Sequence, residues 1–277
     1  MTINSADVVK LRKATGAGMM DCKEALMATN GNFEEAIDYL RKKGQKVSAK
    51  RADRDATEGV ICAKISPDAT FGLLVEVCCE TDFVAKNADF IAFVDKIAET
   101  ALQYRPNNIE ELKSLPVGNS KVSDLLNDQL AKIGEKIDIT NYKTLSSDLV
   151  VSYIHSGNKI GVLTGLSKSG KDEYITCGKD VSMQIAAMNP YAIDPSGISQ
   201  EVIDREMAIA VEQTRQEGKP ENMIEKIAQG KLNKFFKENT LLSQPFVKDN
   251  SKTVGDYIAQ VDKDLKITDF VRIAINS

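Results

Sequence analysis

The chain has 277 residues, 42% apolar and 27% charged, with a formal net charge of −4. That is ordinary globular composition with room for two core-bearing units and smaller attachments. The acidic balance argues against gripping a phosphate backbone as the principal task, so no direct nucleic-acid contact is expected. Residues 1–9 hold Asp7 and no apolar run, and nothing approaches the ~20 apolar residues of a membrane span, so a cytoplasmic protein is expected.

Residues 5–43 read as three short helices. Asn4 or Ser5 can cap the first, whose inner face holds Val8 and Leu11. The second is expected from about Asp21, burying Cys22, Ala25 and Leu26. Asn32 caps the third, with Phe33, Ala36, Ile37 and Leu40 at helical spacing. Such a thin core suits a docking module. Residues 42–58, KKGQKVSAKRADRDATE, lose the apolar pattern and read as a solvated charged linker, with or without some helix, and with a contact strip for RNA or an acidic partner as the alternative.

Two units that echo each other follow. The first has β-rich runs at 60–65 and 71–79, a hairpin, then a helix over 88–102 with Phe90, Phe93, Val94 and Ile97 inward. The second has strands at 150–155 and 160–167 around Gly157-Asn158, then a helix over 180–188. FGLLVEV and IGVLTGL occupy equivalent places. Between the units come a helix near 120–134 and an edge strand near 136–142. Residues 199–216 and 221–237 predict a helical hairpin inserted in the second unit. A short helix at 253–261 and a strand at 267–275 close the chain. The fold expected is α+β, with antiparallel sheets in a duplicated core.

No catalytic constellation emerges, and no enzyme is expected. GLSKSGKD (165–172) matches a phosphate-binding loop up to Lys171, but Asp172 stands where a magnesium-binding Ser or Thr belongs, and the segment reads as leading into a strand or turn rather than a helix. His155 is the only histidine, and acid–base work by imidazole usually needs oriented partners. The five cysteines are Cys22, Cys62, Cys78, Cys79 and Cys177. They sit among apolar residues with no CxxC, and read as small buried hydrophobes rather than a disulfide or zinc framework. No cofactor or metal is expected.

Two stretches are distinctive. LRKATGAGMMDCKEAL (11–26) joins two helices through a Gly-rich turn with Met19 and Met20, which serve either the core or an adaptable partner contact. CETDFVAKN (79–87) reads as a polar loop carrying Thr81, Asp82, Phe83 and Val84, where Phe83 either inserts into a partner or caps the local core. With KIGEKI (132–137), SYIHSGNKIGVL (152–163) and QPFVKDNSKTVG (244–255), they resemble the elongation factor Ts family in order along nearly the whole chain.

The resemblance implies a guanine nucleotide exchange factor for elongation factor Tu, met in its GDP-bound and nucleotide-free forms. It implies a three-helix module similar to ubiquitin-associated domains (1–44), a linker (45–58), a core with N-terminal (59–145) and C-terminal (146–277) subdomains, and a coiled-coil dimerisation module (196–240) that could support a homodimer or 2:2 complex. Arg12, Met19, Met20 and Lys23 would touch the partner's GTPase domain. Asp82 and Phe83 would intrude beside its magnesium site. Ile133 and Val247 would add apolar contacts there, and His155 would face another domain of the partner. The family often continues into a further helical module past the last strand; this sequence stops at Ser277, so that module is expected to be either absent or trimmed away. The rival reading is a non-catalytic adaptor for a ubiquitin-like or ribosomal partner.

Overall fold

Three helices open the chain: α1 (Ser5–Thr15), α2 (Met19–Ala28) and α3 (Phe33–Arg51). The protein is described by a computed structural model over residues 3–51 and 54–276. Met1, Thr2, Ala52, Asp53 and Ser277, on which parts of the N-terminal, linker and C-terminal expectations fall, lie outside the described residues. Asn4 caps α1 by accepting from Ala6 N–H at 3.1 Å, and Gly16 ends it at φ 72. The side-chain oxygen of Asn32 accepts from Glu35 N–H at 3.3 Å to open α3. Val8, Leu11, Cys22, Ala25, Leu26, Ala36 and Leu40 form the small core. Two boundaries differ from expectation. Helix α2 begins at Met19, because Gly18 breaks the chain one residue earlier. Helix α3 continues to Arg51, so the first half of the charged stretch is helical.

The core consists of two three-stranded antiparallel sheets. In the first, β1 (Glu58–Ile65), β2 (Phe71–Cys79) and β5 (Asp138–Ser146) lie in the order β1-β2-β5. The chain leaves β2 through one helical turn, α4 (Asp82–Ala85), and the long α5 (Ala88–Tyr104). It reaches β5 through α6 (Ile109–Ser114), the small ladder β3 (Pro116–Val117) with β4 (Ser120–Lys121), and α7 (Val122–Ile133). The second sheet, in the order β10-β7-β6, comprises β6 (Leu149–Ile154), β7 (Ile160–Leu166) and β10 (Ile267–Ala274). Helix α8 (Asp172–Met188) follows β7 as α5 follows β2. Helices α9 (Gln200–Gln216) and α10 (Glu221–Asn239) then form the inserted hairpin, before β8 (Pro245–Phe246), β9 (Asp249–Thr253) and α11 (Val254–Val261).

Strand alternation sets the layers. On β2, Leu73, Val75 and Val77 face Phe90, Val94 and Ile97 of α5 in one core. Leu74 points the other way, meeting Ile61, Leu145, Val150, Leu163 and Ile273 between the two sheets. On the far side, Val151, Val162 and Leu166 pack with Tyr174, Cys177, Val181 and Ile185 of α8. Both central strands are therefore covered on both faces, which is why they read as near-continuous apolar runs. The tetrapeptide TDFV recurs at Thr268–Val271, and this second copy lies within β10.

Helix α8 corrects the expected 180–188 helix. It starts at Asp172, since Tyr174 and Cys177 extend the buried stripe of Val181 and Ile185 by two turns. The bundle docks on α7 through α3. Arg41 donates to the Ser120 hydroxyl at 3.3 Å, and Gly44 has no room for a Cβ beyond 3.2 Å from that of Ala131.

Candidate partner-binding site

The segment Thr81–Val84, expected as a polar loop, is a capped turn of helix. Thr81 sits at the N-cap, its hydroxyl oxygen 3.4 Å from Val84 N–H. Ala85 is buried and Val84 packs against the first core, so one side of the turn is anchored. The other side is bare: Phe83 is 84% exposed, the most exposed large apolar side chain among the described residues. It does not cap the local core. Asp82 pairs with Lys86 at 2.6 Å, one helical turn on, and that bond holds its carboxyl below the ordinary range and the Lys86 ammonium above its own.

Two carboxylates that sequence reasoning passed over support this turn. Glu135 accepts from the backbone N–H of Glu80 at 3.1 Å and of Thr81 at 3.0 Å, and from the Thr81 hydroxyl at 2.7 Å. Glu80 answers by accepting from Lys136 N–H at 2.7 Å, while Arg54 donates to its other oxygen at 3.0 Å. Both acids stand inside the distinctive segments CETDFVAKN and KIGEKI, and their mutual reach across the fold is the signal that only the structure carries.

Discontinuous segments meet around this turn. Ile133, at the end of α7, packs against the same core as Val84. Its neighbour Lys132 runs along Gly16, where an added Cβ would come within 3.1 Å of its side chain. Three residues beyond Gly16 begins the exposed face of α2. Met19 is partly exposed there, Met20 is 74% exposed, and Lys23 is open to solvent. Met27 is 60% exposed on the same stripe, seven residues from Met20, and was missed because its spacing alone suits a core position equally well. Arg12 is exposed near the end of α1. Met19 and Met20 lie in the first turn of a helix rather than on a turn between helices.

On the opposite subdomain, the β6–β7 hairpin tip approaches the start of β1. Lys159 pairs with Glu58 at 2.7 Å, and Ile61 N–H donates to the Asn158 carbonyl at 2.8 Å. Lys159 also adds to the lowering of the Asp82 pKa. His155 is exposed at this tip, its Nδ1 2.9 Å from the Tyr153 hydroxyl. Val247 stands apart, in the turn between β8 and β9, where its N–H donates to Gln184 at 2.8 Å and its side chain is exposed. Ile133 thus packs against the first core, whereas Val247 is exposed and joins none of the core clusters.

The phosphate-loop-like segment does enter a helix, contrary to expectation. Its lysines are nonetheless engaged elsewhere: Lys168 contacts both oxygens of Asp262 at 2.9 Å, and Lys171 lies 5.1 Å over the Tyr174 ring. Gly165 is a paired residue of β7 and Asp172 occupies the first helical turn, where it would oppose a phosphate. Among the described residues no group of three or more His, Cys, Asp or Glu could hold a metal ion. No helix among them is long and apolar enough to cross a membrane. All five cysteines are free.

Comparison with known proteins places these features in a family. A family model described as Elongation factor TS matches residues 80–277. An elongation factor Ts of Christiangramia forsetii is 53% identical over 275 residues, 99% of this chain and 98% of that one. That of Amoebophilus asiaticus is 48% identical over 277 residues, spanning 100% of both chains. That of Porphyromonas gingivalis is 43% identical over 278 residues, again 100% of both.

Proposed function

The chain belongs to the elongation factor Ts family of translation elongation factors, and on that premise we propose that it is a cytoplasmic guanine nucleotide exchange factor for elongation factor Tu. It does no covalent chemistry of its own. A protein that binds the nucleotide-free partner better than the GDP-bound one weakens GDP by the same factor. The α2 face with Arg12, Met19, Met20 and Lys23 docks on the GTPase domain, Ile133 and Val247 add apolar contacts, and His155 meets another domain. Asp82 and Phe83 disturb the magnesium and phosphate site.

The observation that carries this reading is Phe83, bare to solvent on a turn whose backbone is held from behind. Burying one Phe side chain is worth roughly 1.5–3 kcal/mol, and each tenfold in rate needs about 1.4 kcal/mol. Phe83 therefore supplies about one to two decades of acceleration, with the remainder coming from loosened magnesium and phosphate contacts. The α9–α10 hairpin, with Ile209 and Met223 exposed, is the dimerisation module of this reading.

The test is release of a fluorescent GDP analogue from elongation factor Tu, chased with excess GDP. Acceleration by catalytic amounts of this protein supports exchange. Tight binding without acceleration would instead support the adaptor reading.

A further inference from the structure

We propose that Glu135 is a positioning residue for the Asp82–Phe83 turn, an inference that rests on the exchange reading above. Every polar atom of Thr81 is committed. Its N–H goes to Glu135, its carbonyl accepts from Ala85 N–H at 3.2 Å and from the Cys79 thiol at 3.3 Å, and its hydroxyl proton goes to Glu135 at 2.7 Å. Because the proton is spent on Glu135, the hydroxyl turns a lone pair towards Val84 N–H, the capping bond that starts the turn.

Beyond the anchor of Val84 and Ala85 to the first core, little else fixes the direction in which Phe83 points. Its own side chain packs on almost nothing, and the Asp82–Lys86 pair is exposed at both ends, a class of contact that orders side chains weakly. Hydrogen bonds to an ionised acceptor are the stronger kind, and Glu135 makes three of them to two adjacent residues. Gly134, at φ 79, ends α7 just before Glu135, while Glu80 ties back to Lys136 N–H. The result is a two-way strap between the end of α7 and the base of the turn. Glu135 itself acts on the partner only through the aim of Phe83.

The experiment compares wild type, Glu135→Ala, Glu135→Gln, Phe83→Ala and the Glu135→Ala/Phe83→Ala double variant in the GDP-release assay. Glu135→Ala should lower the maximal release rate about tenfold while changing the half-saturating concentration less than about threefold. Glu135→Gln keeps an acceptor oxygen and should recover part of the loss. In the Phe83→Ala background, Glu135→Ala should cost nothing further, because the side chain being aimed is gone.

Hydrogen exchange of the 80–84 amides supplies a readout without the partner. Those amides should exchange faster in Glu135→Ala, with α5 and β2 as protected as in wild type. An undiminished rate in Glu135→Ala, or an equal loss in both backgrounds, overturns the inference while leaving the exchange reading intact. If wild type fails to accelerate release, the exchange reading fails and the inference falls with it.

Discussion

Gly161 on β7 lies directly beneath Ile61 on β1, so close that a Cβ there would stand 2.6 Å from Ile61 Cγ2. Gly72 on β2 answers from the first sheet, where a Cβ would come within 2.8 Å of Val150 and 2.7 Å of Ile65. These two glycines let the sheets approach face to face over the Ile61, Leu74 and Leu163 layer. Gly161→Ala should destabilise the core by about 1–3 kcal/mol, the usual cost of overpacking. Urea denaturation with an unchanged m-value would measure it, and a variant as stable as wild type would contradict the packing described.

Docking and displacement should separate by mutation. Phe83→Ala should reduce the maximal GDP-release rate roughly 10- to 100-fold, with a smaller effect on affinity for elongation factor Tu. Met20→Ala should do the reverse, raising the half-saturating concentration several-fold, about what losing part of one apolar side chain from an interface costs. Both residues are solvent-exposed, so thermal midpoints should stay within about 2 °C of wild type. Stopped-flow release over a range of factor concentrations resolves the two effects. Equal losses of rate and affinity in Phe83→Ala would refute a wedge.

The thiols should be inert in the folded protein. Burial, first among the causes, pushes Cys62, Cys78, Cys79 and Cys177 up to about 12 and raises Cys22 as well. Since the thiolate is the nucleophile, a thiol reagent near neutral pH should label the native chain far more slowly than the five groups released by denaturant. The sign for stability follows. A thiol held neutral by the fold favours folding at pH values below its unfolded pKa near 8.5, and that contribution is lost as pH climbs towards 12.

Acid acts through a different corner. Asp262 accepts from the Tyr174 hydroxyl at 2.6 Å and from Lys168 at 2.9 Å, and these bonds hold its carboxyl well below the ordinary range. A hydrogen bond from Ser66, first among several, lowers Asp68 to about 2. Depressed carboxylates contribute stability above the unfolded pKa near 3.9 and lose it as pH falls through the folded value. Asp262→Asn should therefore flatten the fall of the thermal midpoint between about pH 4 and pH 2 relative to wild type. An unchanged slope would remove Asp262 from that role.

What could be read in the sequence tracks how local each cause is. The apolar runs of β2 and β7, the Gly157-Asn158 turn and the α9–α10 hairpin are set by periodicity and turn chemistry within a few residues, and all stand where expected. The first two turns of α8 were missed because GKDEYIT mixes turn and charge signals, and only burial of Tyr174 in the second core decides for helix. The charged stretch allowed helix, but the end of α3 could not be placed in it, because the sequence carries no apolar face to announce it. The exposure of Phe83 was foreseen as one of two outcomes. The strap beneath it was not, since Glu135 meets Thr81 across 54 positions of chain.

Helix α7 and the residues just past it touch both ends of the candidate surface: Lys132 lies along Gly16 beside the methionine face, Ile133 packs on the core beneath the Phe83 turn, and Glu135 supports that turn. The two contacts are thus mounted like the jaws of a caliper whose gap is set by one short rod. In the proposed reading, once the methionine jaw closes on a partner, the phenylalanine jaw meets its target as an intramolecular event, at an effective concentration fixed by geometry rather than by diffusion. A protein offering the same two patches at another separation would satisfy only one jaw, so the gap itself becomes an element of selectivity.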